Sequence, residues 1–139
     1  MNAYVEHVNL TVKNLESTVL FISTAMPEFQ VRHQGTDTKR WCHIGTDSSY
    51  LAIQEREPKS KPHVVRTPYF DVGVNHIGLV VDNVEEVAQR LTVAGYRKNM
   101  ERREAFRKRI YFYDDDGIEW EFIEYLTRNP QQRNHYEAT

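Results

Sequence analysis

Two histidines stand at the same place in two copies of one short segment. YVEHVNLTVKN begins at Tyr4 and GVNHIGLVVDN at Gly73, so His7 and His76 match at an offset of 69 (76 − 7). A lone imidazole on a strand is usually an ordinary polar residue. A repeat-related pair lining one cavity has the donor chemistry to share a divalent metal ion. Late in the second copy, Tyr111, Tyr113, Glu119 and Glu121 add phenols and carboxylates. Carboxylates ligate divalent metals, and a phenol can donate a proton to a developing oxyanion.

The elements that position these groups follow from the repeat. Between residues 4–22 and 73–91, six of 19 positions are identical: Val5/Val74, His7/His76, Leu10/Leu79, Val12/Val81, Asn14/Asn83 and Glu16/Glu85. Chance gives about one at ordinary residue usage. The same offset lays CHIGTDSSYLAIQE (42–55) over YFYDDDGIEWEFIE (111–124). Each half therefore reads strand, helix, strand, strand, strand. The first half predicts strands at 4–12, 29–34, 39–45 and 49–55, with a helix capped by Asn14 that runs to Ala25, just before Pro27. The second predicts strands at 73–81, 96–101, 107–114 and 117–125. Its helix opens on Asn83 with Glu86 in a capping-box spacing and stops at Gly95. DDDG at 114–117 marks a tight turn, and the prolines of 56–72 predict a mostly irregular linker.

Strand alternation then sorts the side chains into two faces. Val8, Leu10, Val12, Leu51, Ile53, Ile77, Leu79, Val81, Ile110, Phe112, Ile118, Trp120 and Phe122 form the face that packs under helices. The opposite face takes His7, Asn9, Thr11, Tyr50, Ala52, Gln54, His76, Gly78, Val80, Tyr111, Tyr113, Glu119, Glu121, Ile123 and Tyr125. This face is aromatic rather than lysine-rich, which points to a lined cavity closed by a curved, duplicated sheet. Glu119 is placed at the rim of that cup. Cys42 is placed at the cup and read as an inert small residue, and His33, His43, His63 and His135 as structural or exposed.

Bulk properties narrow the classes. With 139 residues, 40% hydrophobic and 27% charged, the chain reads as one compact domain (1–139): module one 4–55, linker 56–72, module two 73–125 and a polar tail 126–139. A net charge of −2 argues against a general nucleic-acid binder. No apolar run reaches the roughly 20 residues of a membrane helix, and the N-terminus lacks the pattern of a signal peptide. The single cysteine allows no internal disulfide and suits a reducing, cytoplasmic setting. The stretch YRKNMERREAFRKR (96–109) holds seven Lys/Arg. Such a run is ordinarily a solvated hairpin; the alternative is a patch that steers an anionic substrate.

EHVNLTVKNLEST, NHIGLVVDNVEEVAQRL with AGY, and IYFYDDDGIEWEFIE together resemble the vicinal oxygen chelate superfamily of glyoxalases, bleomycin-resistance proteins, extradiol dioxygenases and fosfomycin-resistance proteins. The last fragment is similar to that family's Y-F-x-D-P-D-G-x-x-x-E ending, with Asp115 where proline is usual. The resemblance implies an α+β fold: two βαβββ modules forming a curved, mostly antiparallel sheet around a central cup, helices outside. It implies a divalent metal (Fe, Mn, Zn or Ni) held by His7, His76 and Glu121. Glu121, Tyr111 and Tyr113 are then the catalytic candidates, and Asn9, Tyr50, Gln54 and Tyr125 the substrate-binding ones. The first module's counterpart of Glu121 is Ala52, which cannot ligate; Gln54 reaches that place only through a strand bulge. A His–His–Glu set resembles extradiol dioxygenases and fosfomycin-modifying enzymes rather than four-ligand glyoxalases. The phosphonate-binding lysine of the fosfomycin enzymes falls by spacing near Glu101, which argues against that substrate. The implied activity is that of a metal-dependent enzyme on a small oxygen-chelating substrate, of dioxygenase, lyase or transferase type. The alternative is a metal-free binding protein of the bleomycin-sequestering kind. A homodimer is the implied assembly.

Overall fold

A computed structural model describes residues 2–57 and 65–136. His63, Pro58 and Pro62, with the rest of 58–64 and the last three residues of the tail, lie outside the described residues. The chain divides into two compact units, Met1–Val65 and Arg66–Thr139.

The first unit runs β1 (His7–Val12), α1 (Leu15–Ala25), β2 (Gln30–Thr36), β3 (Arg40–Gly45) and β4 (Tyr50–Glu55). Its sheet order is β1-β4-β3-β2, parallel between β1 and β4 and antiparallel elsewhere. Asn14 Oδ1 accepts from the Ser17 N–H at 2.9 Å and starts α1; such a cap is worth about 1 kcal/mol. Thr18, Phe21, Ile22 and Ala25 recur at helical spacing and are all buried. Cys42, Ile44, Leu51 and Ile53 are buried on the strands beneath, each large aliphatic contributing roughly 1.5–3 kcal/mol. Cys42 pairs with Ile53, so it faces the helix and not the polar face as expected. Burial raises its thiol pKa, which suits an inert core residue.

The second unit repeats the plan: β5 (His76–Val80), α2 (Val84–Val93), β6 (Arg97–Arg103), β7 (Arg107–Tyr113) and β8 (Glu119–Tyr125), in sheet order β5-β8-β7-β6. Asn83 Oδ1 accepts from the Glu86 N–H at 3.1 Å. At the other end Tyr96 N–H donates to Leu91 O and Gly95 N–H to Thr92 O, both at 3.0 Å. Gly95, at φ 92°, thus closes a Schellman motif. Trp120 and Phe122 are wholly buried, and Trp120 Nε1 donates to Asp114 Oδ2 at 3.0 Å. Asp114 also accepts from the Asp116 and Ile118 N–H groups, which builds the DDDG turn. A short helix, α3 (Pro130–Arg133), interrupts the polar tail. Among the described residues no helix is long and apolar enough to cross a membrane.

The duplication extends to side-chain pairing. Glu55 Oε2 accepts from the Leu15 N–H at the start of α1, and Glu124 Oε1 from the Val84 N–H at the start of α2, both at 3.0 Å. Arg40 joins Glu55 to Glu16, as Lys108 joins Glu124 to Glu85. The offset is not uniform, however. His7↔Tyr50 matches His76↔Glu119 at 69, whereas His43↔Ala52 matches Tyr111↔Glu121, which sets β3 against β7 at 68 (111 − 43). The β3–β4 turn is one residue shorter than β7–β8, so Tyr111 corresponds to His43 rather than Cys42.

Candidate functional site

In the second unit, strand register brings His76 beside Glu119, Gly78 beside Glu121, and Tyr111 and Tyr113 opposite Glu121 and Glu119. His76 Nε2 lies 3.0 Å from Glu121 Oε2. Tyr111 donates to Glu121 Oε1 at 2.6 Å and meets the His76 ring edge-on. Arg109 Nη1 donates to the Tyr111 hydroxyl at 3.1 Å, and its other terminal nitrogen pairs with Glu104. Burial, then the Glu121 carboxylate, pushes the Tyr111 pKa up to about 12, so the phenol keeps its proton at neutral pH. Tyr113, opposite Glu119, lies under the Arg97 guanidinium 4.2 Å away.

Glu119 is only 4% exposed, so it is no rim residue. Asn99 donates to its Oε2 at 2.6 Å, and Tyr69 donates to its Oε1. The Tyr69 hydroxyl is also 3.0 Å from His76 Nδ1. The linker supplies Tyr69; its described part carries no helix or strand, as expected, but is held in place by side-chain hydrogen bonds. Arg66 donates to the carbonyls of Asp71, Val72 and Val74 and to Asn75 Oδ1. Proline content signals a loop but not its internal order, which depends on one arginine finding four acceptors.

In the first unit, His7 Nδ1 lies 3.0 Å from Glu6 Oε1 and its ring stacks on Tyr50 at 4.7 Å. His43 stacks on the same Tyr50 at 4.7 Å, Trp41 meets His43 and His33 in tilted contacts at 5.3 Å each, and Arg32 covers Tyr50 at 4.5 Å. His43 thus belongs to the same face as His7; alternation through 39–45 carried that signal. Burial, followed by the charges of His33, His7 and Arg32, lowers its pKa. Gln54 donates to Thr11 Oγ1 at 3.1 Å, and β4 keeps regular register with both neighbours, so no bulge brings Gln54 to the Ala52 position. Asn9 is exposed beside Ala52. Tyr125, in the second unit, lies under Arg133 at 4.0 Å.

The basic stretch is largely paired: Lys98 with Glu101, Arg107 and Arg109 with Glu104, Lys108 with Glu85. Its hairpin and the tail enclose a cleft of about 520 Å³ lined by Arg102, Phe106, Arg107, Arg109, His135 and Tyr136 among others.

Whether these residues suit a metal ion turns on the His76–Glu121 contact. Two donors about 2.1 Å from one ion lie about 3.0 Å apart at right angles and about 3.4 Å apart at tetrahedral angles; His76 Nε2 and Glu121 Oε2, at hydrogen-bond distance of 3.0 Å, stand close enough to share one. The donor types are right, and Nδ1 of each repeat-related histidine already has a partner, so Nε2 is the nitrogen left to ligate; in His76 it faces Glu121. Within either unit, no three or more His, Cys, Asp or Glu side chains among the described residues gather in ligating geometry.

The sequence matches the profile of the Glyoxalase/Bleomycin resistance protein/Dioxygenase superfamily over residues 4–122. Similar solved structures include a glyoxylase/bleomycin resistance protein/dioxygenase domain from Frankia sp. EAN1pec (20% identity, TM-score 0.70, covering 90% of this chain and 99% of that one). Another is the fosfomycin resistance protein FosX of Listeria monocytogenes complexed with Mn(II) and sulfate (18%, 0.67, 97% and 100%). A third is a glyoxalase family protein from Bacillus cereus (15%, 0.73, 91% and 97%). At such identities these structures establish a shared fold. Curated protein sequences yielded no match.

Proposed function

The chain belongs to the glyoxalase/bleomycin resistance protein/dioxygenase superfamily, and from that premise we propose that it is a divalent-metal-dependent enzyme. Its substrate is a small oxygen-chelating molecule, and the reaction is of dioxygenase, lyase or transferase type. The observation that carries this reading is the 3.0 Å approach of His76 Nε2 to Glu121 Oε2, on a histidine whose Nδ1 is already engaged. His7 is the proposed third donor. The Mn(II) of the Listeria FosX complex supports a divalent ion in this fold, with Fe, Zn and Ni as the other candidates. When bound, the ion would act as a Lewis acid toward substrate oxygens.

The chain's own residues would do the rest. Tyr111 holds Glu121 through Oε1 and leaves Oε2 directed at His76. The Arg109 guanidinium steadies that phenol. Tyr113, whose hydroxyl is not committed to Glu121, is the proposed proton donor to substrate. Asn9, Tyr50, Gln54 and Tyr125 are proposed substrate contacts, and the assembly a cytoplasmic homodimer.

Elemental analysis of untagged protein tests the reading. Wild type should carry about one equivalent of metal, lost in His7→Ala, His76→Ala and Glu121→Ala. No uptake by wild type, even after supplementation, would favour a metal-free binding protein, a reading that Ala52 at the place of a first-module ligand also favours.

A further inference from the structure

We propose that Tyr69 is a positioning residue for His76: by accepting from the imidazole and donating to Glu119, its hydroxyl keeps a proton on Nδ1 and leaves Nε2 directed at Glu121. Hydrogen-bond parity carries the assignment. Both Glu119 oxygens receive hydrogen bonds, from Tyr69 and from the Asn99 amide, so Glu119 acts purely as an acceptor. A phenol has one proton, and here it goes to Glu119. Its oxygen can therefore only accept from His76 Nδ1, 3.0 Å away. The same carboxylate lies 3.7 Å from Nδ1, too far to replace Tyr69 directly.

The backbone gives an independent sign. Phe70 N–H donates to Thr67 O, closing a turn with Pro68 second and Tyr69 third, and Tyr69 has φ 71°. That is the type II position where glycine is the ordinary occupant. Tyr69 is the only described non-glycine residue with positive φ. Its N–H is pinned to Asn75 Oδ1 at 2.7 Å, on the side chain that Arg66 also grips. Packing does not explain a tyrosine here, because the residue is 57% exposed. Strain held by its surroundings, with one polar atom directed inward, marks a functional position. In the first unit Glu6 touches His7 Nδ1 directly, so the two repeats satisfy the same nitrogen by different means.

The claim that Nδ1 carries the proton stands apart from the proposed metal reading; its consequence for metal affinity rests on that reading. Imidazole ¹⁵N NMR of metal-free wild type and Tyr69→Phe decides the first. Wild-type His76 Nδ1 should give a protonated, pyrrole-type signal. In Y69F, where Glu121 is the remaining acceptor, it should move to the bare, pyridine-type position, with the amide signals of Arg66 and Asn75 retained as proof that the loop is intact. An unprotonated Nδ1 in wild type, or an unchanged signal in Y69F, overturns the assignment. Mn(II) titration forms the second arm: loss of an outer partner should weaken binding about 10- to 100-fold. If wild type takes up no Mn(II), the metal reading falls while the ¹⁵N result still decides the role of Tyr69.

Discussion

Tyr111 and Tyr69 show how much of this site rests on hydroxyl protons. Glu121 is buried, and the short bond from Tyr111 is its strongest neutral contact. Tyr111→Phe removes the donor and leaves a buried carboxylate under-satisfied, at a cost of about 1–3 kcal/mol. We expect a lowered urea midpoint together with weaker Mn(II) binding in Y111F. Tyr69 differs, because its turn is strained. Tyr69→Gly relieves roughly 1 kcal/mol of backbone strain but strips a donor from buried Glu119, at a cost of about 1–3 kcal/mol, and abolishes the contact with His76. Lost metal affinity with no gain in thermal stability is the expected outcome, read by Mn(II) titration and calorimetry. Strand alternation put Glu121, Tyr111 and the two histidines on the face away from the helices, and the repeat paired the histidines; only the family resemblance singled out Glu121. Tyr69 was not legible, since its role depends on a turn, an arginine brace and a carboxylate 50 positions away.

Each helix is tied to its sheet by an ion-paired carboxylate, and this bears on acid stability. Bonding to Arg40 holds both Glu16 and Glu55 below the usual carboxylate range, and the Leu15 N–H adds to the effect at Glu55. A carboxylate with a depressed folded-state pKa stabilises the fold above its unfolded value, 4.5 here, and that contribution is lost as pH falls through the folded value. Arg40→Met should therefore flatten the loss of stability on acidification below about pH 4.5, measured as urea midpoint against pH. The identical pair Glu16/Glu85 thus has a use in both copies, which strand patterning alone does not disclose. Helix starts, the DDDG turn and the succession of elements along each module were all readable, because caps, glycines and alternation are local signals; the order of strands in each sheet was not read. The slide of the offset from 69 to 68 was not, since it arises from the length of one turn. The short α3 was missed although Asn129-Pro130 carries a start signal: Asn129 accepts from the Gln131 N–H with proline just inside.

At the level of the whole molecule, two copies of one frame carry different fittings. The carboxylate position of the second unit is Glu121 and that of the first is Ala52, so titration should saturate near one ion per chain and not two. Sedimentation should report a dimer, the assembly that would cover edge strands such as β1 and exposed apolar side chains such as Phe70 and Val72. One irregularity is shared by both frames. The second strand of each unit carries an extra residue, Arg32 between Val31 and His33, and Asn99 between Lys98 and Met100. Arg32 reaches Tyr50 and Asn99 reaches Glu119, which are matching positions of the last strands. A strand that holds one residue too many at a fixed point cannot shift along its neighbour without flipping every side chain beyond it. The extra residue therefore fixes the alignment of that strand pair. It also leaves a single side chain that can be exchanged, guanidinium for amide, to retune what lies opposite without rebuilding the sheet.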